Sequence, residues 1–300
     1  MNNKRTLTTL FEPGNYFECP RWRDGRWWVS DFYRHAVFSY GPSGGERLEI
    51  EVEAQPSGLG WLPDGDMLVV SMKDRRVLRR GADGSVVTHA DLSELTTGHA
   101  NDMIVDGQGR AFVGNFGFDL MGGGRPATAS LVRIDPDGAA TVAAEDLWFP
   151  NGMVITDAGT LIVAETFAAR LTAFDIQPDG SLGGQRVWAQ VQPSPEPGDT
   201  ETMLSAVTFA PDGCALDAED HVWAANALGA ALCRVAPGGQ IVDEVAMPDG
   251  LAVFACGLGG EDGHTLIACA APDFYEEPRS SAREAVLLTT TVEVPQAGLP

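Results

Sequence analysis

Basic residues are scarce in this sequence of 300 residues. Lys and Arg together number 20 against 42 Asp and Glu, which leaves a formal net charge of −22 at pH 7. A surface of this sign repels phosphate backbones and anionic lipid headgroups. The composition therefore argues against nucleic acid or a membrane surface as a partner, and a small molecule is the expected ligand.

Long apolar runs and paired cysteines are missing as well. No apolar run reaches the length of about 18 residues that a membrane-spanning helix needs, and residues 1–7 lack the apolar core of a signal peptide. The five cysteines are an odd number without a CxxC pair. Buried free thiols are expected, and the protein is predicted to be cytoplasmic.

Helical periodicity is also absent, and short apolar runs alternate with tight turns instead. The 35 Gly and 19 Pro are spread along the chain, and Asp-Gly turns recur, for example at 63–66, 106–109 and 136–138. Such turns between strand-like runs indicate β-hairpins, because glycine readily adopts the positive φ that they require. The sequence therefore predicts an all-β protein.

A short pattern recurs six times: a polar residue at a turn, a small residue such as Gly, then an apolar strand. The copies begin at residues 18, 57, 101, 151, 212 and 256, the last being degenerate, and lie 39 to 61 residues apart. This period is typical of stacked supersecondary units, and each unit contains four short strand-like runs. Residues 1–300 are predicted to form a single domain, a six-bladed β-propeller.

The two ends of the chain are predicted to meet in the last blade. Residues 6–11 resemble a strand without a unit of its own, while the last unit, ending at 285–294, lacks a fourth strand. We expect the N-terminal strand to complete that sheet and close the ring, which would remove two unpaired strand edges.

The connections between strands indicate which face carries the site. In a four-stranded meander, the loops after strands two and four lie on one face, opposite the short turns. The irregular insertions at 116–129, 189–207 and 272–283 all belong to that face, as do the polar starts of the innermost strands. Function concentrates on loops held by a rigid scaffold, so the site is predicted at this mouth of the central channel.

Four polar residues start innermost strands at equivalent positions: Glu18, Asn101, Asn151 and Asp212. Carboxylate and amide oxygens converging on the axis suit a hard divalent cation. Each Asn-Gly or Asp-Gly pair alone is equally typical of an ordinary turn. Four polar residues in equivalent positions favour a site.

The chain resembles the senescence marker protein (regucalcin)/gluconolactonase superfamily of six-bladed propellers, from about residue 10 to the last blade. The motifs that carry the resemblance are Glu18-Cys19-Pro20-Arg21-Trp22, Asn101-Asp102, Phe149-Pro150-Asn151-Gly152 and Pro211-Asp212-Gly213. The resemblance implies that Glu18, Asn151 and Asp212 bind one divalent metal ion, calcium first, with zinc, manganese or iron as alternatives. It also implies that Asn101 lines the substrate pocket and that the substrate is a sugar lactone, another lactone or an organophosphate.

One residue departs from the pattern of the sugar-lactone members, because His99 stands where they carry Arg. Histidine offers one or two hydrogen bonds where Arg offers a rigid fork. Trp148, Phe149 and Met121 are expected to make the mouth apolar, although each could simply pack under the loops. Ser57 starts the second blade and is expected to contact substrate. The substrate is thus expected to be either a sugar lactone or a less hydroxylated lactone or ester.

The expected chemistry is hydrolysis by metal-activated water. Asp212 is the candidate base for that water, and Asn101 would help to stabilise the oxyanion. His99 would orient the ring oxygen or protonate the departing alkoxide, or is only a loop residue. A phosphotriesterase, an isomerase or cyclase, and a non-catalytic calcium-binding propeller remain alternatives. A monomer and a small homo-oligomer are both compatible with the sequence.

Overall fold

The computed structural model describes residues 5–298 as six four-stranded antiparallel sheets around a central channel. This confirms the six-bladed β-propeller. The strands of the N-terminus and the first two blades are β1 (Thr8–Gly14), β2 (Phe17–Arg23), β3 (Arg26–Asp31), β4 (Ala36–Gly41), β5 (Gly44–Glu51), β6 (Pro56–Trp61), β7 (Met67–Ser71), β8 (Arg76–Arg80) and β9 (Val86–Asp91). Blades three and four contain β10 (Ala100–Val105), β11 (Ala111–Asn115), β12 (Ala129–Ile134), β13 (Ala140–Leu147), β14 (Pro150–Ile155), β15 (Thr160–Glu165), β16 (Arg170–Ile176) and β17 (Leu182–Gln190). Blades five and six contain β18 (Pro211–Leu216), β19 (Val222–Asn226), β20 (Ala231–Val235), β21 (Ile241–Ala246), β22 (Ala252–Gly259), β23 (Thr265–Ala271) and β24 (Ala285–Thr291).

The N-terminal strand closes the ring as predicted. The last sheet has the order β1-β24-β23-β22, so β1 is its outermost strand. Thr8 pairs with Thr289 and Thr9 with Leu288. The hydrogen bonds between β1 and β24 therefore join the first and last strands of the chain and leave neither as a free edge.

The core lies between the blades, and burial falls from the channel outwards. Innermost strands contact those of both neighbouring blades in the cyclic order β2, β6, β10, β14, β18, β22. All six residues of β10 are buried, whereas outermost β9 is mostly exposed. Strands covered on both faces need near-continuous apolar sequence, which explains the apolar run that follows each polar start.

Two short helices lie in the insertions of this otherwise all-β fold. Helix α1 (Thr200–Ala206) lies in the insertion between blades four and five, and α2 (Glu276–Ser281) lies in that of blade six. The Asp199 carboxylate caps α1 by accepting a 2.8 Å hydrogen bond from the amide of Thr202. Both helices are too short for a 3.6-residue period to emerge from the sequence. Within residues 5–298 no helix is long and apolar enough to cross a membrane.

The repeated polar-Gly pairs are not turns, which corrects the pattern described from the sequence. Asn151 and Gly152 lie inside β14, at a shift in register between Pro150 and Met153. Equivalent shifts interrupt the inner strands of the other blades. A β-bulge of this kind re-aims one side chain, here towards the channel mouth. Residue 152 is a glycine because a Cβ there would lie only 2.4 Å from the carbonyl oxygen of Asp212 on the next inner strand.

The sixth copy of the pattern also lies elsewhere than expected. Strand β22 begins at Ala252, and its register shift falls between Val253 and Ala255, before Cys256. Phe254 therefore stands at the channel mouth of blade six, where it lines the cavity described below. Because Phe254 is apolar, the pattern of polar residues at strand starts did not identify this position in the sequence.

Candidate active site

The channel mouth on the side of the insertions opens into a cavity of about 680 Å³, counted out to its open end. Its lining includes Glu18, Asn101, Asn151 and Asp212. The structure thus brings together four residues that are up to 194 positions apart in the sequence. They come from the bulged starts of the inner strands of blades one, three, four and five.

A chain of hydrogen bonds fixes the two amides at the cavity floor. Ser57 Oγ donates to Asn101 Oδ1 (3.2 Å), and Asn101 Nδ2 donates to Asn151 Oδ1 (2.9 Å). Asn151 Nδ2 donates to Thr166 Oγ1 (3.2 Å), which in turn donates to the carbonyl of Pro211 (2.8 Å). Ser57 is fully buried behind Asn101. Thr166 follows β15, belongs to no repeated pattern, and gave no signal in the sequence.

The two carboxylates of the floor have no basic side chain paired with them. Glu18 and Asp212 are both buried, and in the described part of the chain neither belongs to an ion pair. Burial raises the pKa of Glu18 well above its ordinary value, and the charges of Asp212 and Asp102 raise it further. Burial and then Asp102 likewise raise the pKa of Asp212. Two buried carboxylates in this state are stabilised by a bound cation.

The residues present fit a hard divalent cation by the chemistry of their donors. Glu18 and Asp212 supply carboxylate oxygens, and Asn101 and Asn151 supply amide oxygens at the same floor. Residues 5–298 contain no cluster of three or more His, Cys, Asp or Glu side chains suited to a metal. Any metal at this floor would therefore depend on the amides as well as the carboxylates.

A buried ion pair lies beside the floor and was not identified from the sequence. Arg21 Nη2 is 3.1 Å from Asp102 Oδ1 and 3.0 Å from the carbonyl oxygen of Met103. Asp102 also accepts a hydrogen bond from Cys19 Sγ (3.2 Å). Because the guanidinium is paired with Asp102, Glu18 forms no ion pair in the described part of the chain and accepts a hydrogen bond from the amide of Cys19 (3.2 Å).

Carboxylates and amides that end the second strands hold the chain just ahead of the site residues. The side chain of Asp31 accepts the amide of Tyr16 (3.1 Å), two residues before Glu18. The corresponding contacts in other blades are Glu165 with the amide of Trp148 (2.9 Å) and Asn226 with the amide of Ala210 (2.9 Å). These bonds orient the entry of each inner strand, which is a supporting role.

The cavity walls are largely aromatic. On one side, the ring of Phe149 lies 4.6 Å from that of Phe116 and 5.8 Å from that of Phe167, measured between centroids. On another side, Tyr16 packs 5.0 Å from Phe254. Met121, in the blade-three insertion, lines the cavity and is 38% exposed. Trp148 is half-buried, packs against the core and does not line this cavity.

Comparison with known proteins identifies the family of this chain. The sequence model of the family described as SMP-30/Gluconolactonase/LRE-like region matches residues 17–271. The chain belongs to this family.

Relatives with assigned names include two lactonases. A pentonolactonase of Haloferax volcanii is 29% identical over 205 residues, or 68% of this chain and 62% of the relative, so less than two thirds of that relative is spanned. A 6-deoxy-6-sulfogluconolactonase of Pseudomonas putida is 24% identical over 273 residues, 88% of this chain and 86% of the relative. Both names describe lactone hydrolysis, and they are said of those relatives.

A solved structure supports the fold of this family member. Regucalcin of Agrobacterium tumefaciens, described as a calcium-binding protein, has a TM-score of 0.79 and 20% identity, with 99% of this chain and 97% of that chain covered. At this identity the likeness establishes the shared propeller. The calcium-binding description belongs to regucalcin.

His99, which the family resemblance marked as a departure, faces an adjoining pocket. That pocket is also lined by Lys73, Arg75 and Asp119, and Phe116 lies between it and the main cavity, 5.5 Å from His99 between ring centroids. Burial lowers the pKa of His99, and the charge of Lys73 lowers it further. The imidazole is therefore neutral near pH 7 and stands apart from the four floor residues.

Proposed function

We propose that this protein is a metal-dependent hydrolase that opens a lactone, that is, a lactonase. The observation that carries the proposal is the cavity floor, where two buried carboxylates without a basic partner meet two oriented amides. The lactonase names of two relatives support the reaction class. The substrate is a small molecule that enters from the side of the insertions.

Glu18, Asn151 and Asp212 would hold one divalent ion, with calcium the first choice because every donor is oxygen. Zinc, manganese and iron are the alternatives that the test below compares. The ion would supply polarisation of the lactone carbonyl and a lowered pKa for bound water. The raised pKa values of Glu18 and Asp212 mean that ion binding would displace protons from this floor.

The chain's own residues perform the remaining steps. Asp212 would accept the proton of the attacking water, because its carboxylate lies at the cavity floor where that water would be held. Asn101 stands beside Asn151 with its amide held at 2.9 Å, and would donate to the oxyanion that forms at the carbonyl carbon. The aromatic walls would exclude bulk water. Protonation of the departing alkoxide by His99 stays a prediction, because its ring faces the adjoining pocket.

The test is hydrolysis of a lactone panel by metal-stripped protein, with Ca²⁺, Mn²⁺, Zn²⁺ or Fe²⁺ restored in turn. We expect turnover that depends on one of these ions and that is lost in Glu18→Gln and Asp212→Asn. Asp24→Asn is the matched control, because the side chain of Asp24 is 79% exposed. Turnover that survives both floor variants would refute the proposal. An ion that raises the melting temperature without any turnover would instead indicate a non-catalytic calcium-binding propeller.

A further inference from the structure

The cavity above the floor is bounded by two aromatic groups that face each other. In a ring of six blades, blades three and four lie across the axis from blades six and one. Phe116, Phe149 and Phe167 come from blades three and four. Tyr16 lies just before blade one, and Phe254 and Phe274 belong to blade six. A flat or elongated apolar group bound on the axis would therefore contact rings on both sides.

The insertions continue this lining towards solvent. Leu120 and Met121 from the blade-three insertion, Leu204 of α1 and Leu228 of blade five all line the same cavity. The Oγ1 of Thr200 donates a 3.4 Å hydrogen bond to the carbonyl of Gly124, so two insertions contact each other above the site. The upper cavity is thus lined mainly by apolar side chains, with the hydroxyls of Tyr16 and Tyr33 as its polar exceptions.

The backbone conformation of Phe149 directs its side chain towards the cavity. Phe149 has φ of 55°, in the left-handed region that bulky residues rarely occupy. Gln55, at the equivalent position two residues before Ser57, has φ of 71°. The conformation therefore belongs to the start of the inner strand, and in blade four it places an aromatic residue that is 8% exposed in the cavity lining, two residues before Asn151.

The floor offers little to a polyhydroxylated substrate. Asn101, Asn151 and Thr166 already bond to one another and to the backbone, and the lining contains no Lys, Arg, Gln or His. Its other polar groups are the Glu18 and Asp212 carboxylates, which would hold the ion, and the hydroxyls of Tyr16 and Tyr33. A sugar lactone would bring several hydroxyls into these walls. Each buried hydroxyl left without a partner costs about tenfold or more in affinity.

We propose that the preferred substrate is a lactone that bears an aromatic or alkyl substituent, rather than a polyhydroxylated sugar lactone. This inference rests on the proposed lactonase function. The carbonyl would face the floor of Glu18, Asn151 and Asp212, and the substituent would lie between the aromatic groups. Burying each CH₂ in such a cavity strengthens binding by about fourfold.

The test compares kcat/KM for three lactones under the best metal: δ-decalactone, unsubstituted δ-valerolactone and glucono-δ-lactone. We expect δ-decalactone to exceed δ-valerolactone by about a hundredfold or more, and glucono-δ-lactone to be the poorest of the three. Leu228→Asn and Met121→Asn should reduce the decalactone value by about tenfold and the valerolactone value by much less, so the ratio of the two values should fall. Both residues are more than one third exposed, so these variants should fold, and the matched control is Leu48→Asn on outer strand β5, where Leu48 is 53% exposed.

A binding experiment separates failure of this inference from failure of the lactonase proposal. Calorimetry would measure the hydrolysis-resistant lactams that correspond to δ-decalactone and glucono-δ-lactone. Suppose that no lactone is hydrolysed, but the lactam of δ-decalactone binds more tightly than the lactam of glucono-δ-lactone. The inference about the preferred substituent then holds, and the lactonase proposal fails. The inference is wrong if glucono-δ-lactone has a kcat/KM equal to that of δ-decalactone, or if its lactam binds as tightly as the lactam of δ-decalactone. Either result would leave the lactonase proposal standing.

Discussion

A methyl group at Gly152 would separate the inner strands that carry two of the floor residues. Its Cβ would lie 2.4 Å from the carbonyl oxygen of Asp212, 2.6 Å from the amide nitrogen of Cys214 and 2.8 Å from Gly213 Cα. All three neighbours are backbone atoms, so no side chain can rotate away. Ordinary contact begins near 3.4 Å, so β14 and β18 must move apart by about 1 Å.

The magnitude of the effect follows from that displacement. Overpacking of this kind costs about 1 to 3 kcal/mol. For a protein of this size the melting temperature should fall by about 2 °C for each kcal/mol, or about 2 to 6 °C in total. Asn151 and Asp212 would also move relative to each other, and a 1 Å misplacement in a site can reduce the rate about 10²-fold.

The assay is urea unfolding followed by tryptophan fluorescence, together with calorimetric titration of the preferred divalent ion into Gly152→Ala. The matched control is Gly107→Ala, because a Cβ at Gly107 meets nothing within 4 Å and its φ is not positive. If Gly152→Ala unfolds at the same urea concentration as Gly107→Ala and binds the ion as tightly as the parent, close strand approach is not the reason for glycine at position 152.

Three further perturbations address the floor and its surroundings. Burial and then the charge of Asp212 raise the pKa of Glu18 above its ordinary 4.5, so the metal-free folded protein retains a proton that the unfolded chain releases. Its free energy of unfolding should therefore fall as the pH rises above about 4.5. Glu18→Gln should flatten that decline in melting scans at several pH values, and an unchanged slope would contradict this reasoning. Arg21→Met should destabilise by about 3 to 5 kcal/mol in urea unfolding because it leaves the Asp102 charge buried alone, and Arg21→Met/Asp102→Leu should recover most of the loss. A double variant no more stable than the single one would refute that account. Thr166→Val should weaken divalent-ion binding about tenfold by releasing the Asn151 amide, whereas Thr166→Ser should not, and equal binding by both variants would exclude this role.

The sequence predicted the blades and the ring closure because both depend on local patterns that repeat. Asp-Gly turns and apolar runs recur in each unit, and β1 was identified as a strand without partners of its own. The floor residues Glu18 and Asp212 could be proposed because polar groups at equivalent strand starts must converge on the axis. Their pairing with a metal remains a prediction.

Other parts of the site depend on contacts that no repeat encodes. Thr166 supports Asn151 through one hydrogen bond, and the Arg21–Asp102 pair joins strands of blades one and three. Phe254 occupies the sixth strand start with an apolar side chain and so broke the polar pattern. The sequence pattern interpreted Gly152 as a turn residue, which was wrong. Glycine is required there because β18 approaches β14 closely.

The pairing of β1 with β24 has a consequence for biosynthesis. Thr8 leaves the ribosome long before its partner Thr289, which lies 281 positions later in the sequence. The sheet of β1 therefore stays incomplete until β24 has been synthesised, and contacts of such long sequence separation form slowly. Every nascent chain that ends before β24 exposes the edge of β1, and a cell that makes this protein must protect that edge from other strands until the two ends meet.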